Sequence, residues 1–212
     1  MKGLFSPDAP LAHILSTLFD LMLLNIVFLV CCLPVVTIGA AYAALQQQTF
    51  ALVRGGSVSV SKFFKAFREN AKNAIMVWMA FLMITFVVYV DVQTLRTGQL
   101  PLGGFVLVLV WALYLVCIAV MAYVIPMIVK FENSLKNYII CSFFLAFSHL
   151  PTTALLLLLH IGPVVIFLLY PNVFLAMLPF WLLIAFSLVS LCSAWLLTRC
   201  FNDYLSPDSQ AQ

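Results

Sequence analysis

The chain has 212 residues, of which 65% are hydrophobic and only 8% are charged, with a formal net charge of +3. Soluble domains carry about 25% charged residues, so this composition excludes a water-soluble globular fold and makes lipid the outer solvent. The apolar runs are long and continuous rather than alternating, which excludes a transmembrane barrel and predicts an all-α polytopic membrane protein.

The apolar runs predict about five transmembrane helices in a single integral membrane domain, residues 1–212. The run that begins at Leu21 is too long for a signal-peptide core, so we expect the first span to be retained. The predicted spans are about 21–44, 74–90, 102–129, 152–170 and 173–197. Proline inside a helix removes a hydrogen bond, so we expect helix kinks at Pro34, Pro126, Pro163 and Pro171. A sixth crossing over 139–159 is the alternative.

Residues 59–72 predict an amphipathic helix that lies flat at the cytoplasmic interface and leads as an elbow into the second span. Its apolar side chains recur at helical spacing: Val60, Phe63, Phe64, Phe67 and Ala71. The cations on or beside the opposite face are Lys62, Lys65, Arg68 and Lys72. The phenylalanines would enter the acyl boundary while the cations contact anionic headgroups.

Residues 131–148 predict a second interfacial helix. The phrase CSFFLAF, from Cys141 to Phe147, partly repeats SKFFKAF, from Ser61 to Phe67. Each copy follows a proline-containing span and precedes another span. This order hints at a weak duplication of a span–elbow–span unit, with coincidence between two Phe-rich segments as the alternative.

The distribution of lysine and arginine predicts the orientation in the membrane. Eight of the ten lysines and arginines fall on one side of the five predicted spans, and only Lys2 and Arg96 fall on the other. Cytoplasmic loops carry the excess of cations. Five spans then place the N-terminus outside and the C-terminus in the cytoplasm. The cations sit at span ends rather than on a soluble face, which does not favour a nucleic-acid partner.

Three polar residues within or beside the spans are candidate functional residues. Asp20 shares a face with His13 and Thr17, which suggests either a proton- or ligand-handling cluster or an interfacial turn. Asn25 is expected to hydrogen-bond another helix. His160 precedes Pro163, and it could line a solute or proton path or hydrogen-bond a facing helix as a neutral imidazole.

Small residues predict two helix-packing faces: Gly39 with Ala43, and Ser187 with Ser190. The six cysteines lie in or beside apolar runs and are expected to be reduced. The sequence contains no recognisable enzyme, nucleotide-binding or metal-ligand motif. We therefore expect no catalytic residues, no cofactor and no metal.

Several segments resemble the YesL-like family of small integral membrane proteins from Gram-positive bacteria. The resemblance rests on L-P-x-x-T-x-G (Leu33 to Gly39), on F-F-x-A-F-x-E-N (Phe63 to Asn70) and on W-L-L-T-R-x-F-x-x-Y-L (Trp195 to Leu205). It implies a bacterial cytoplasmic membrane protein whose genes accompany those of carbohydrate-uptake ABC importers. The family supplies no catalytic residues.

Two functions are compatible with these features. The first is a non-enzymatic accessory or regulatory subunit that binds lipid and either the permease subunits of an importer or a second copy of itself. The second is a small transporter whose proline-kinked helices and His160 line a path.

Overall fold

The computed structural model describes residues 10–97 and 103–204, and within these ranges it contains helices and short connections but no strand. The helices in chain order are α1 (Pro10–Cys31), α2 (Ile38–Val53), α3 (Val60–Thr97), α4 (Gly103–Lys130), α5 (Leu135–Ser148), α6 (Leu150–Leu169), α7 (Pro171–Ala176), α8 (Leu178–Phe180) and α9 (Phe186–Tyr204). A 3₁₀ turn, Val35–Thr37, precedes α2, and a π-helical turn, Trp181–Ala185, joins α8 to α9.

Four helical stretches in the described ranges are long and apolar enough to cross a membrane: Val60–Leu95, Gly104–Lys130, Leu150–Leu169 and Leu178–Phe201. Two shorter apolar helices are Leu15–Cys31 and Leu135–Ser148. This confirms the predicted all-α polytopic class. The helices α4 and α6 begin and end within about two residues of the predicted helices at 102–129 and 152–170.

The predicted first span, residues 21–44, is a helical hairpin rather than one kinked helix. After α1 ends, the Thr37 hydroxyl donates to the carbonyl oxygens of Cys31 at 2.7 Å and Pro34 at 2.8 Å, which closes a tight turn. Thr17 of α1 and Val53 of α2 line the same groove, whereas in a continuous helix they would lie about 54 Å apart. The backbone at Pro34, just before the 3₁₀ turn, is extended (φ −79°, ψ 120°) rather than helical, so the chain can turn back.

The second arm of this hairpin, α2, forms the centre of the fold. It packs against α3, α4 and α9, and its small and apolar residues Ala40, Ala41, Ala43, Ala44 and Leu45 are fully buried. Gly39 lies so close to α3 that a Cβ there would be 2.5 Å from both the Ala74 carbonyl oxygen and Trp78 Cβ. Small residues thus allow close helix approach here.

Residues 59–72 do not form a separate interfacial helix. They are the first part of α3, which runs without a break for 38 residues, or about 57 Å. No helix-breaking residue lies between Asn70 and Ala74, so the predicted elbow continues into the predicted span at 74–90. Phe63 is fully buried in a cluster with Leu24 and Phe28 of α1. Part of the amphipathic face, centred on Phe63, therefore packs against the hairpin, while Phe64 is exposed.

The second predicted elbow, residues 131–148, differs from the first. The helix α5 begins only at Leu135, and it is separated from α6 at His149. Its inner face buries Tyr138 and Leu145, while Phe144 on the other side is 63% exposed. The two Phe-rich copies therefore occupy different structural positions, one within a long helix and one as a helix of its own.

The predicted prolines have different local roles. Pro126 lies inside α4 and Pro163 inside α6, and neither interrupts its helix. Pro171 starts α7 after a break at Tyr170. The predicted span 173–197 is divided among α7, α8, the π-helical turn and α9.

The start of α1 and the end of α9 lie at the same end of the helix bundle. Thr17, Val53 and Trp195 line one groove, while Asn25 further along α1 contacts Leu182 at the start of the last helical segment. Five crossings would place these two helix ends on opposite sides of the membrane. The structure differs because the α1–α2 hairpin reverses the direction of the chain once more than a single span over 21–44 would. Lys2 lies outside the described residues.

Candidate functional site

The central feature around α2 is a chain of partly buried hydrogen bonds that joins α2 to α6. The hydroxyl of Tyr42 lies 2.8 Å from Nε2 of His160, and Gln46 Nε2 lies 2.8 Å from the same hydroxyl. The other ring nitrogen of the histidine, Nδ1, lies 2.8 Å from the Leu156 carbonyl oxygen. A carbonyl can only accept, so Nδ1 carries a hydrogen.

This site favours a neutral imidazole, because an isolated charge is costly away from water. For a neutral His160 with its hydrogen on Nδ1, the contacts fix the direction of the hydrogen bonds. Gln46 donates to the Tyr42 oxygen, Tyr42 donates to His160 Nε2, and His160 donates to Leu156. The remaining acceptor of the Gln46 amide, Oε1, is buried and has no hydrogen-bond partner in the described part of the chain.

A second set of polar contacts joins α2 to α9. The hydroxyls of Thr49 and Ser190 lie 3.0 Å apart, and both residues are fully buried. Thr49 also bonds the Leu45 and Gln46 carbonyl oxygens of its own helix. Among the described residues, Gln48 Oε1 and Ser187 Oγ are buried without a partner.

Asn25 joins α1 to the irregular part of the last helical segment. Its Nδ2 donates to the carbonyl oxygens of Trp181 at 3.1 Å and Leu182 at 2.7 Å, and its Oδ1 accepts from the Ser187 backbone N–H at 3.0 Å. A π-helical turn leaves backbone groups out of the regular ladder. One fully buried amide side chain satisfies three of them.

Some of the predicted site residues take part in hydrogen bonds between helices, whereas Asp20 does not. His160 and Asn25 both hydrogen-bond facing helices, and Ser190 pairs with Thr49. Asp20 is half-buried on α1 and does not join this network, while the His13 side chain lies outside the described part. Sequence reasoning missed Tyr42 and the pair formed by Tyr123 and Thr153, whose hydroxyls lie 2.8 Å apart.

One sequence signal could have located the network. The run Gln46-Gln47-Gln48-Thr49 places four uncharged polar residues in succession beside an apolar stretch. Such residues cannot all face lipid, since polar side chains within membrane helices seek partners. In α2 three of the four, Gln46, Gln48 and Thr49, are buried.

An apolar groove of about 600 Å³ lies beside this network. Its walls come from Leu155, Leu158 and Leu159 of α6 and from Leu191, Cys192 and Trp195 of α9. The Arg199 guanidinium stacks on the Trp195 ring, with its carbon 3.8 Å from the ring centroid. In the described part of the chain, no group of His, Cys, Asp and Glu residues could hold a metal ion.

Comparison with known proteins gives one match. Residues 21–92 match the family described as protein of unknown function, DUF624. The matched segment covers the second half of α1, all of α2 and most of α3, and it includes Asn25, Tyr42, Gln46 and Thr49. No curated protein and no solved structure matches the chain.

Proposed function

We propose that the protein is a non-enzymatic accessory or regulatory subunit of a membrane complex rather than a transporter. One observation carries this proposal: polar residues from four helices hydrogen-bond to one another or to backbone, including Asn25, Tyr42, Thr49 and His160. Side chains engaged in this way hold helices together and are not free to coordinate a solute.

We further propose a permease of a carbohydrate importer as the partner, in the bacterial cytoplasmic membrane. Support comes from the YesL-like resemblance, which covers the same N-terminal segment that matches DUF624. A row of exposed cations on α3, which includes Lys62, Lys65 and Lys72, offers a basic surface to acidic partner segments or to lipid headgroups. A homo-oligomer is the competing assembly.

Affinity purification of the full chain in mild detergent tests this proposal. We expect permease subunits to co-purify in near-stoichiometric amounts, and the purified chain alone to give no solute flux in reconstituted vesicles. A variant in which Lys62, Lys65, Arg68 and Lys72 are replaced by Gln tests the basic surface, and Lys136→Gln on α5 is its control. Recovery of only the chain itself, together with intrinsic flux, would overturn the proposal.

A small transporter is the second candidate function, and one specific observation favours it. Gln46 Oε1 and Ser187 Oγ are buried without a partner in the described residues, and Gln46 bonds the tyrosine that contacts His160. A path for a solute or proton at this place would use these groups. Vesicles with the wild-type chain should then show flux that His160→Ala abolishes and Asp20→Asn reduces.

A further inference from the structure

The groove lies between α6 and α9 and is lined mainly by their apolar side chains. On α6 the lining residues Leu155, Leu158 and Leu159 follow i, i+3, i+4 spacing, so they form one helix face. On α9 the residues Leu191, Cys192 and Trp195 are spaced i, i+1, i+4, so they also share one side of their helix. Thr17 lines the groove from α1, and Leu52 lines it from α2. The lining contains no charged side chain.

One end of this groove is cationic. Arg199 lies one helical turn beyond Trp195 on the same face, and it stacks on that ring. Arg54 directly follows Val53, which also lines the groove. Both arginines are exposed, and the ion pair found among the described side chains, between Lys65 and Glu69, involves neither. Neither guanidinium has a counter-charge among the described side chains, and each arginine lies within one helical turn of a residue that lines the groove.

We propose that this groove binds an anionic phospholipid, with an acyl chain along the leucines and the phosphate at Arg54 and Arg199. Guanidinium groups match phosphate oxygens in two-point geometry, and tryptophan is typical of the headgroup level. An apolar partner helix would fill the apolar part but would leave the two arginines without counter-charge. An amphiphile with an apolar tail and an anionic head fits both parts of the groove. This binding does not depend on the proposed accessory function.

Native mass spectrometry of the full chain tests the proposal. The protein is purified in mild detergent and exposed to equimolar phosphatidylglycerol and phosphatidylcholine with identical acyl chains. We expect preferential retention of phosphatidylglycerol. The variant Arg54→Gln with Arg199→Gln should lose about 30-fold in affinity for phosphatidylglycerol. Each cation near anionic headgroups contributes about five-fold to the affinity. The control Lys136→Gln removes an exposed charge from α5, which does not line the groove, and should bind like wild type.

Two further variants separate the roles of head and tail. Arg54→Lys with Arg199→Lys should retain most of the preference, because the charge is kept. Cys192→Trp places a large side chain in the groove and should reduce the retention of both lipids. Equal retention of both lipids by the wild-type chain, or no retention of either, would overturn the proposal. Recovery of a dimer or of a bound partner helix that Cys192→Trp displaces would also overturn it.

Discussion

The Tyr42 hydroxyl and His160 Nε2 lie 2.8 Å apart and join two helices across 118 positions of the chain. The tyrosine contributes a donor to the histidine and an acceptor to Gln46. Replacing the tyrosine affects both neighbours at once. The free energy of unfolding should therefore respond to the loss of this contact between α2 and α6.

The first prediction concerns the removal of that hydroxyl. Tyr42→Phe keeps the ring but removes the hydroxyl that His160 Nε2 and Gln46 Nε2 contact in this partly buried site. We expect the free energy of unfolding to fall by about 1–2 kcal/mol, measured by unfolding in detergent micelles. Tyr89→Phe is the matched control, since Tyr89 is 61% exposed. Equal effects of the two changes would contradict the assigned contact.

The second prediction concerns the close approach of α2 and α3. Gly39→Ala would place a Cβ 2.5 Å from the Ala74 carbonyl oxygen, so the helices must move apart. We expect a loss of about 1–3 kcal/mol in unfolding free energy. Gly162→Ala is the control within a helix, because nothing lies within 4 Å of the position its Cβ would occupy. It should be neutral or stabilising by up to about 1 kcal/mol. If Gly39→Ala left the free energy of unfolding unchanged, α2 and α3 would have to lie further apart than this close contact requires.

The third prediction concerns Asn25 and the π-helical turn. Asn25→Ala removes the side-chain partner of two carbonyl oxygens and one N–H of the last helical segment. We expect a loss of about 3 kcal/mol, since each buried unsatisfied group is costly. Asn25→Asp should be similarly destabilising, because a carboxylate can accept from Ser187 but cannot donate to the carbonyls.

Asn137→Ala provides the comparison for Asn25. Asn137 also donates through its amide, to Asn133 Oδ1 at 2.8 Å, but its bond is exposed to solvent. Its replacement should change the unfolding free energy by less than about 0.5 kcal/mol. If Asn25→Asp were as stable as wild type in the same unfolding assay, the donor role of Asn25 would be refuted.

The fourth prediction concerns the path of the chain through the membrane. Because α1 and α2 form a hairpin, a reporter placed ahead of α1 and one placed after α9 should lie on the same side, the cytoplasmic one. In a background without native cysteines, Ser57→Cys should resist an impermeant maleimide in intact cells, whereas Thr97→Cys should react. Reporters on opposite sides would support the single-span interpretation of residues 21–44.

The sequence by itself determined the class of the protein and much of its helical content. So few charges among 212 residues require a lipid environment, and long apolar runs in that environment must be helical because their backbone groups have no water to bond. The segments 102–129 and 152–170 were located closely for this reason. The polar residues Asn25 and His160 could be selected as helix contacts, since such groups seek partners in lipid.

Only the tertiary structure decided which surfaces face protein. In a membrane the side chains that face lipid are as apolar as those in the core, so periodicity could not show that Phe63 packs against α1 or that α2 is central. It could not separate a kink at Pro34 from a reversal, because both begin with the same broken hydrogen bond. The partner of His160 is Tyr42, far away in the chain, and that pairing follows from how the hairpin is placed against α6.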